Sequence, residues 1–171
     1  MEEFKLLGGA LILASSAWAG LRAALCLRRT QEQLRDLCAA LELMAGEVSF
    51  AATPFVPLCR RAGEGRGPAV RAFFDALARE GERPERAEAG MTRSACGEAG
   101  LLLPERSLSA LERLFDGYGR FDRAGQLRQI ELALSELKQL NAELNLHTEE
   151  RCRGLRVLGL TAGAAVLVLV L

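Results

Sequence analysis

The chain has 171 residues, 22 basic against 22 acidic, and half of its residues are apolar. That length suits one compact domain plus extras, and the even charge balance removes the electrostatic case for nucleic acid. The five cysteines are odd in number and lack a C-x-x-C pair, and His147 is the only histidine. Both facts argue against a disulfide framework and a zinc site, and for free thiols facing a reducing compartment.

The chain opens on an apolar run, Leu6–Leu21, which Arg22 interrupts and Ala23–Leu27 resumes before Arg28 and Arg29. Leu6–Leu27 is long enough for a transmembrane helix if Arg22 snorkels to the interface. Ala17-Trp18-Ala19 has the form of a signal-peptide cleavage site, but Glu2 and Glu3 spoil the basic region such a peptide needs. The segment is therefore expected to stay on the protein. Ser16, Gly20 and Ala24 form a small-residue ridge on it, suited to close helix packing in lipid.

Gln31–Val48 reads as the first soluble helix, with Leu34, Leu37, Cys38, Leu41, Met44 and Val48 as its apolar stripe. Thr53-Pro54 predicts an N-cap and first helical residue, opening a short helix to about Ala62. Gly63-Glu64-Gly65-Arg66-Gly67-Pro68 is a breaker. Its glycines lack the Gly-Lys-Ser/Thr ending and preceding strand of a phosphate cradle, so a surface turn is expected. A helix over Pro68–Glu80 then buries Val70, Phe73, Phe74 and Leu77. Gly81–Gly100 is harder to read, with short helices predicted around Glu85–Ala89 or Thr92–Ala99. Met91 and Cys96 are expected at the core. Glu105–Asp116 forms the next helix, with Leu108, Leu111, Leu114 and Phe115 inward.

From Asp122, predicted as an N-cap, a long helical arm runs toward the C-terminus. Its apolar stripe falls at Leu127, Ile130, Leu134, Leu137 and Leu144, with Asn141 filling one expected slot. Arg151, Arg153 and Arg156 form a basic collar before the uncharged Val157–Leu171. Those 15 residues would span about 22 Å as a helix, short of a full hydrocarbon core. Gly159 and Gly163 give a second small-residue ridge. Arginines flank the inner ends of both apolar segments, so the positive-inside rule places the central domain in the cytoplasm and both termini across the membrane.

The expected architecture is all-α. Residues 1–27 form an N-terminal transmembrane helix, 28–153 an antiparallel soluble bundle of about five or six helices, and 154–171 a C-terminal transmembrane segment. No nucleophile–base pair is positioned in the sequence, His147 stands on a polar turn, and Glu149-Glu150 beside Arg151 reads as a solvated helix face. No enzymatic activity, cofactor, metal or small-molecule substrate is therefore expected, and without a P-loop the chain is not itself a motor. Asp122, Arg123, Gln126 and Glu131 are the candidate partner-binding residues. For Asp122, helix capping competes with that reading.

Taken together, several stretches resemble the stage III sporulation protein AB family. They are Lys5-Leu6-Leu7-Gly8-Gly9-Ala10, Gln33-Leu34-Arg35-Asp36-Leu37 with Ala40-Leu41-Glu42, Glu47-Val48, Thr53-Pro54, Asp122-Arg123 with Gln126 and Ile130, and Leu158-Gly159-Leu160 with Gly163. Gly81–Gly100 departs from the family pattern, since Met91 stands where an aromatic is expected. The resemblance implies a soluble fold like the cytoplasmic domain of the type II secretion platform protein. It also implies a membrane platform or adaptor in the channel complex joining mother cell and forespore, beside a co-encoded secretion-type ATPase. The implied partners are that ATPase, other membrane proteins of the complex, lipid and a second copy of the chain. The implied location is the mother-cell membrane around the forespore. The alternative is a membrane-anchored helical scaffold that binds other membrane proteins without touching an ATPase.

Overall fold

The computed structural model describes residues 2–51, 53–82, 90–118 and 121–145; of the side chains of residues 2–24, it describes only Trp18 and Arg22. It is an all-α bundle of six helices: α1 (Glu2–Phe50), α2 (Phe55–Gly63), α3 (Pro68–Gly81), α4 (Met91–Ala99), α5 (Glu105–Phe115) and α6 (residues 123–145). The chain divides into two compact units, Thr30–Glu143 and a second made of Met1–Arg29 with Leu144–Leu171. No helix among the described residues is long and apolar enough to cross a membrane. The backbone of the first expected membrane segment falls within α1, but most of its side chains, those of Ser16, Gly20 and Ala24 included, lie outside the described ones. The second segment, with Gly159 and Gly163, and the Glu85–Ala89 helix lie outside the described residues.

Within Thr30–Glu143 the apolar stripe of α1 is buried from Leu34 to Val48, with Ala40 added to the expected set. Helix α2 packs on α3, α3 on α4 and α4 on α5. The core is aromatic where α2, α3 and α5 meet. Phe115 lies 5.9 Å from Phe73, 6.1 Å from Phe74 and 6.4 Å from Phe55 between ring centroids, mostly edge-on. Phe55 also packs on Tyr118 at 4.6 Å. Helix α5 buries Ser107, Ala110, Leu111, Leu114 and Phe115, while Leu108 is only half-buried. Helix α4 meets the core through Thr92, Ala95 and Cys96; Met91 is half-buried. Left-handed glycines, Gly90 at φ 102° and Gly100 at φ 63°, bracket α4 and let the chain reverse at both ends of so short a helix.

Helix α6 lies antiparallel to α5, with Arg106 paired to Glu143 and Arg113 to Glu136. Its buried residues are Ile130, Ala133, Leu137 and Leu140. The stripe is therefore rotated from the expected one, and Leu127, Leu134 and Leu144 are half-buried. The 3–4 spacing is compatible with either set, and the crossing against α1 and α5 selects between them.

One contact corrects the expected capping. Thr53 does not cap α2, whose N-cap position is Pro54. Its hydroxyl instead donates to Glu47 Oε2 at 2.5 Å, and Arg61 reaches Glu47 Oε1 at 2.7 Å. The Thr53 hydrogen bond, assisted by Arg61, holds the Glu47 carboxyl below its ordinary value of 4.5. A depressed folded-state value means that this contribution to stability is complete above the unfolded carboxyl's titration. It is lost as pH falls through the lower folded value. Glu47→Gln is accordingly expected to flatten stability against pH below about pH 4.5, measured as the urea midpoint from pH 3 to 6, and to change the slope little above pH 6.

Candidate interaction surface

The residues singled out in the sequence gather where α6 begins, and most of them hold the fold together. Asp122 caps α6, its Oδ1 accepting from the Gly125 N–H at 3.0 Å. Gln126 donates its side-chain amide to the Phe121 carbonyl at 3.2 Å. Arg123 crosses to α1, donating through Nε to the Val48 carbonyl at 2.7 Å and through Nη2 to the Ser49 carbonyl. The last turn of α1 carries no basic residue of its own. Arg123 thus supplies the cation that the unpaired carbonyls at a helix C-terminus favour. Glu131 is not part of this cluster; it is exposed two turns further along α6.

The turn between α2 and α3 is also tied to α1. The Gly67 N–H donates to Asp36 Oδ2 at 2.8 Å, and Arg66 Nη2 donates to the Ala39 carbonyl at 3.2 Å. A carboxylate already accepting from this glycine loop is the wrong charge to share it with a phosphate, which agrees with the surface-turn reading.

The buried thiols show no sign of reactive chemistry. Burial pushes Cys59 up to about 12, and burial with the nearby Glu112 carboxylate pushes Cys96 up to about 12. Thiols held so far from the thiolate are packing groups at neutral pH. Among the described residues, no group of three or more His, Cys, Asp and Glu could hold a metal ion.

What the surface does offer is two sets of exposed side chains, one where α1 ends and α6 begins and one further along α6. Phe50, at the end of α1, is 90% exposed; Phe121, just before α6, is 47% exposed; and Leu132 on α6 is 49% exposed. Exposed Arg128 and Glu131 stand beside Leu132, and neither forms an ion pair among the described residues. Sequence reasoning named Glu131 as a partner-binding candidate. It missed Phe50 and Leu132, whose only signal was an apolar residue standing off the stripe. Exposed aromatic and aliphatic groups beside free charges are common components of a protein interface.

Comparison with known proteins shows the same family throughout. The family model of stage III sporulation protein AB matches residues 5–171. Stage III sporulation protein AB of Bacillus subtilis (strain 168) is 22% identical over 169 residues, covering 98% of this chain and 99% of the relative. A solved structure of a stage III sporulation protein AB superposes with a TM-score of 0.62 at 20% identity, covering 71% of this chain and 97% of that one.

Proposed function

Because the chain belongs to the stage III sporulation protein AB family, we propose that it is a non-enzymatic membrane platform of the mother cell–forespore channel complex. In this reading its central bundle lies in the cytoplasm and docks a co-encoded secretion-type ATPase. The apolar segments at either end hold it in the mother-cell membrane. The ridges Ser16–Gly20–Ala24 and Gly159–Gly163 pack against channel proteins in the bilayer. The fold fits a docking module of the kind found in type II secretion platform proteins: a rigid bundle, closed by ion pairs, that presents helix faces.

The observation that carries this reading is the exposure of Phe50 and Phe121 at the α1–α6 junction and of Arg128, Glu131 and Leu132 along α6, on a family bundle whose other basic groups are largely engaged internally. Docking is assigned to these exposed side chains, and only Glu131 of the four residues predicted from sequence is among them. Asp122, Arg123 and Gln126 build the junction that carries Phe50 and Phe121.

Binding of the full-length protein in detergent to the purified ATPase, with and without nucleotide, tests the proposal. Saturable binding is expected. It should weaken about tenfold or more in Phe50→Ser or the double variant Glu131→Arg with Leu132→Ser, the size expected for removing interface anchors. These exposed substitutions should leave the urea midpoint nearly unchanged, whereas Arg123→Ala should lower it. If nothing binds at high concentration, the ATPase role is wrong. Retained binding of other membrane proteins in that case would favour the scaffold reading.

A further inference from the structure

The arginines fall into two groups. From α2 to α5, each described arginine meets a carboxylate or a backbone carbonyl, as Arg60 meets Glu82, Arg79 meets Glu98 and Arg93 meets both Glu105 and Glu112. On α6, Arg123 is engaged likewise, whereas Arg128 forms no ion pair among the described residues. On α1, by contrast, Arg22, Arg28, Arg29 and Arg35 are all exposed, and none forms an ion pair among the described residues. Glu32, also exposed, is the only carboxylate between Trp18 and Arg35. It bridges to none of these arginines. Among the described residues, free positive charge is thus concentrated on one stretch of one helix.

That stretch has a definite geometry. At 3.6 residues per turn, Trp18, Arg22, Leu25 and Arg29 share a face, with Arg28 at its edge. Trp18 is 64% exposed and Leu25 is 50% exposed. Arg22 to Arg29 covers about 10 Å of helix, comparable to the polar layer on one side of a bilayer. An indole, an aliphatic group and arginines on one helix face, just beyond a charge-free apolar run, match a lipid interface better than open water.

We propose that Arg22, Arg28 and Arg29 form a collar that binds the phosphates of anionic phospholipid headgroups, with Trp18 and Leu25 seated at the acyl boundary. This rests on the membrane reading above and adds a lipid preference to it. Guanidinium suits phosphate because its fixed fork donates two parallel hydrogen bonds. A surface rich in anionic lipid adds attraction for each basic group near it.

Trp18 is the only tryptophan, so its fluorescence reports this position alone. Full-length protein would be reconstituted in vesicles of equal parts phosphatidylcholine and phosphatidylglycerol, with bromine on the acyl chains of one lipid or the other. Stronger quenching is expected when phosphatidylglycerol carries the bromine, corresponding to about a threefold local enrichment. The preference should fall toward one in the triple variant R22Q/R28Q/R29Q and at about 1 M salt. It should persist in R128Q, which removes the unpaired arginine of α6. Circular dichroism would show that the triple variant keeps its helices. Equal quenching by both lipids would overturn the collar and leave the membrane reading standing. No quenching by either would overturn both. A preference that survives in the triple variant, or disappears equally in R128Q, would show that these three arginines do not select lipid. If that triple variant instead lost an acidic protein partner, the arginines would belong to a protein interface.

Discussion

Phe115→Ala is expected to destabilise the bundle by about 3–5 kcal/mol, the range for removing a buried phenylalanine. The position sits where three helices share one core. Phe115 is 1% exposed and makes ring contacts with Phe55 of α2 and with Phe73 and Phe74 of α3. Truncation removes all three contacts and leaves a hole walled by rings that are themselves pinned. Phe73 and Phe74 are fully buried and stacked edge-on at 5.2 Å, so neither can swing over to fill the space. A loss near the lower end of the range would mean that Phe55, half-buried beside Tyr118, moves inward. Urea unfolding followed by circular dichroism measures the loss. Phe115→Leu should recover more than half of the stability, because it restores most of the volume without the edge contacts.

The second large effect is expected at Asp116, which closes α5 yet acts on α4. Its Oδ2 accepts from the Gly90 N–H at 2.9 Å, and its Oδ1 accepts from the Thr92 N–H at 3.2 Å and the Thr92 hydroxyl at 2.6 Å. The N-cap position of α4 is a glycine with no side chain to cap the helix, so a carboxylate from the next helix does the capping. Thr92 is fully buried, and its hydroxyl has nowhere to turn for water. Asp116→Ala should cost about 2 kcal/mol, the combined effect of a lost charged cap and a buried group left unsatisfied. Asp116→Asn, which keeps one good acceptor, should cost about half as much. Thr92→Val in the Asp116→Ala background should add little, since the hydroxyl no longer has its partner. A full additional loss there would show that Thr92 is held by something else. Hydrogen exchange at residues 92–96 should rise in the alanine variant before exchange in α3 does, because the cap is local to α4.

The fold was legible wherever a helix buried one face along several turns. The stripe of α1 and the inward Val70, Phe73, Phe74 and Leu77 of α3 follow directly from period, because a helix must turn its apolar side inward whatever it meets. The weakest reading fell on Gly81–Gly100. There α4 reaches the core through a threonine, an alanine and a cysteine, residue types that carry little hydrophobic signal. The candidate surface was half legible. Glu131 was named as a partner-binding candidate, but Leu132 lies on neither rotation of the stripe, and a single apolar residue off the stripe carries no periodic signal.

The sequence by itself determined that the described part of this chain is all-helical, where most of its helices begin and end, and its family. Those properties depend on residues within a few turns of one another and on ordered motifs along the chain. Only the tertiary structure decided that Arg123 is bound to the carbonyls ending α1 rather than offered to a partner. The same is true of Asp36 closing the Gly67 loop, Asp116 capping α4 from α5, and the rotation of α6 that buries Ala133 and Leu140. The first three depend on which backbone groups another helix brings within about 3 Å, and the last on which helices α6 packs against; partners so distant in sequence leave no periodic trace in it.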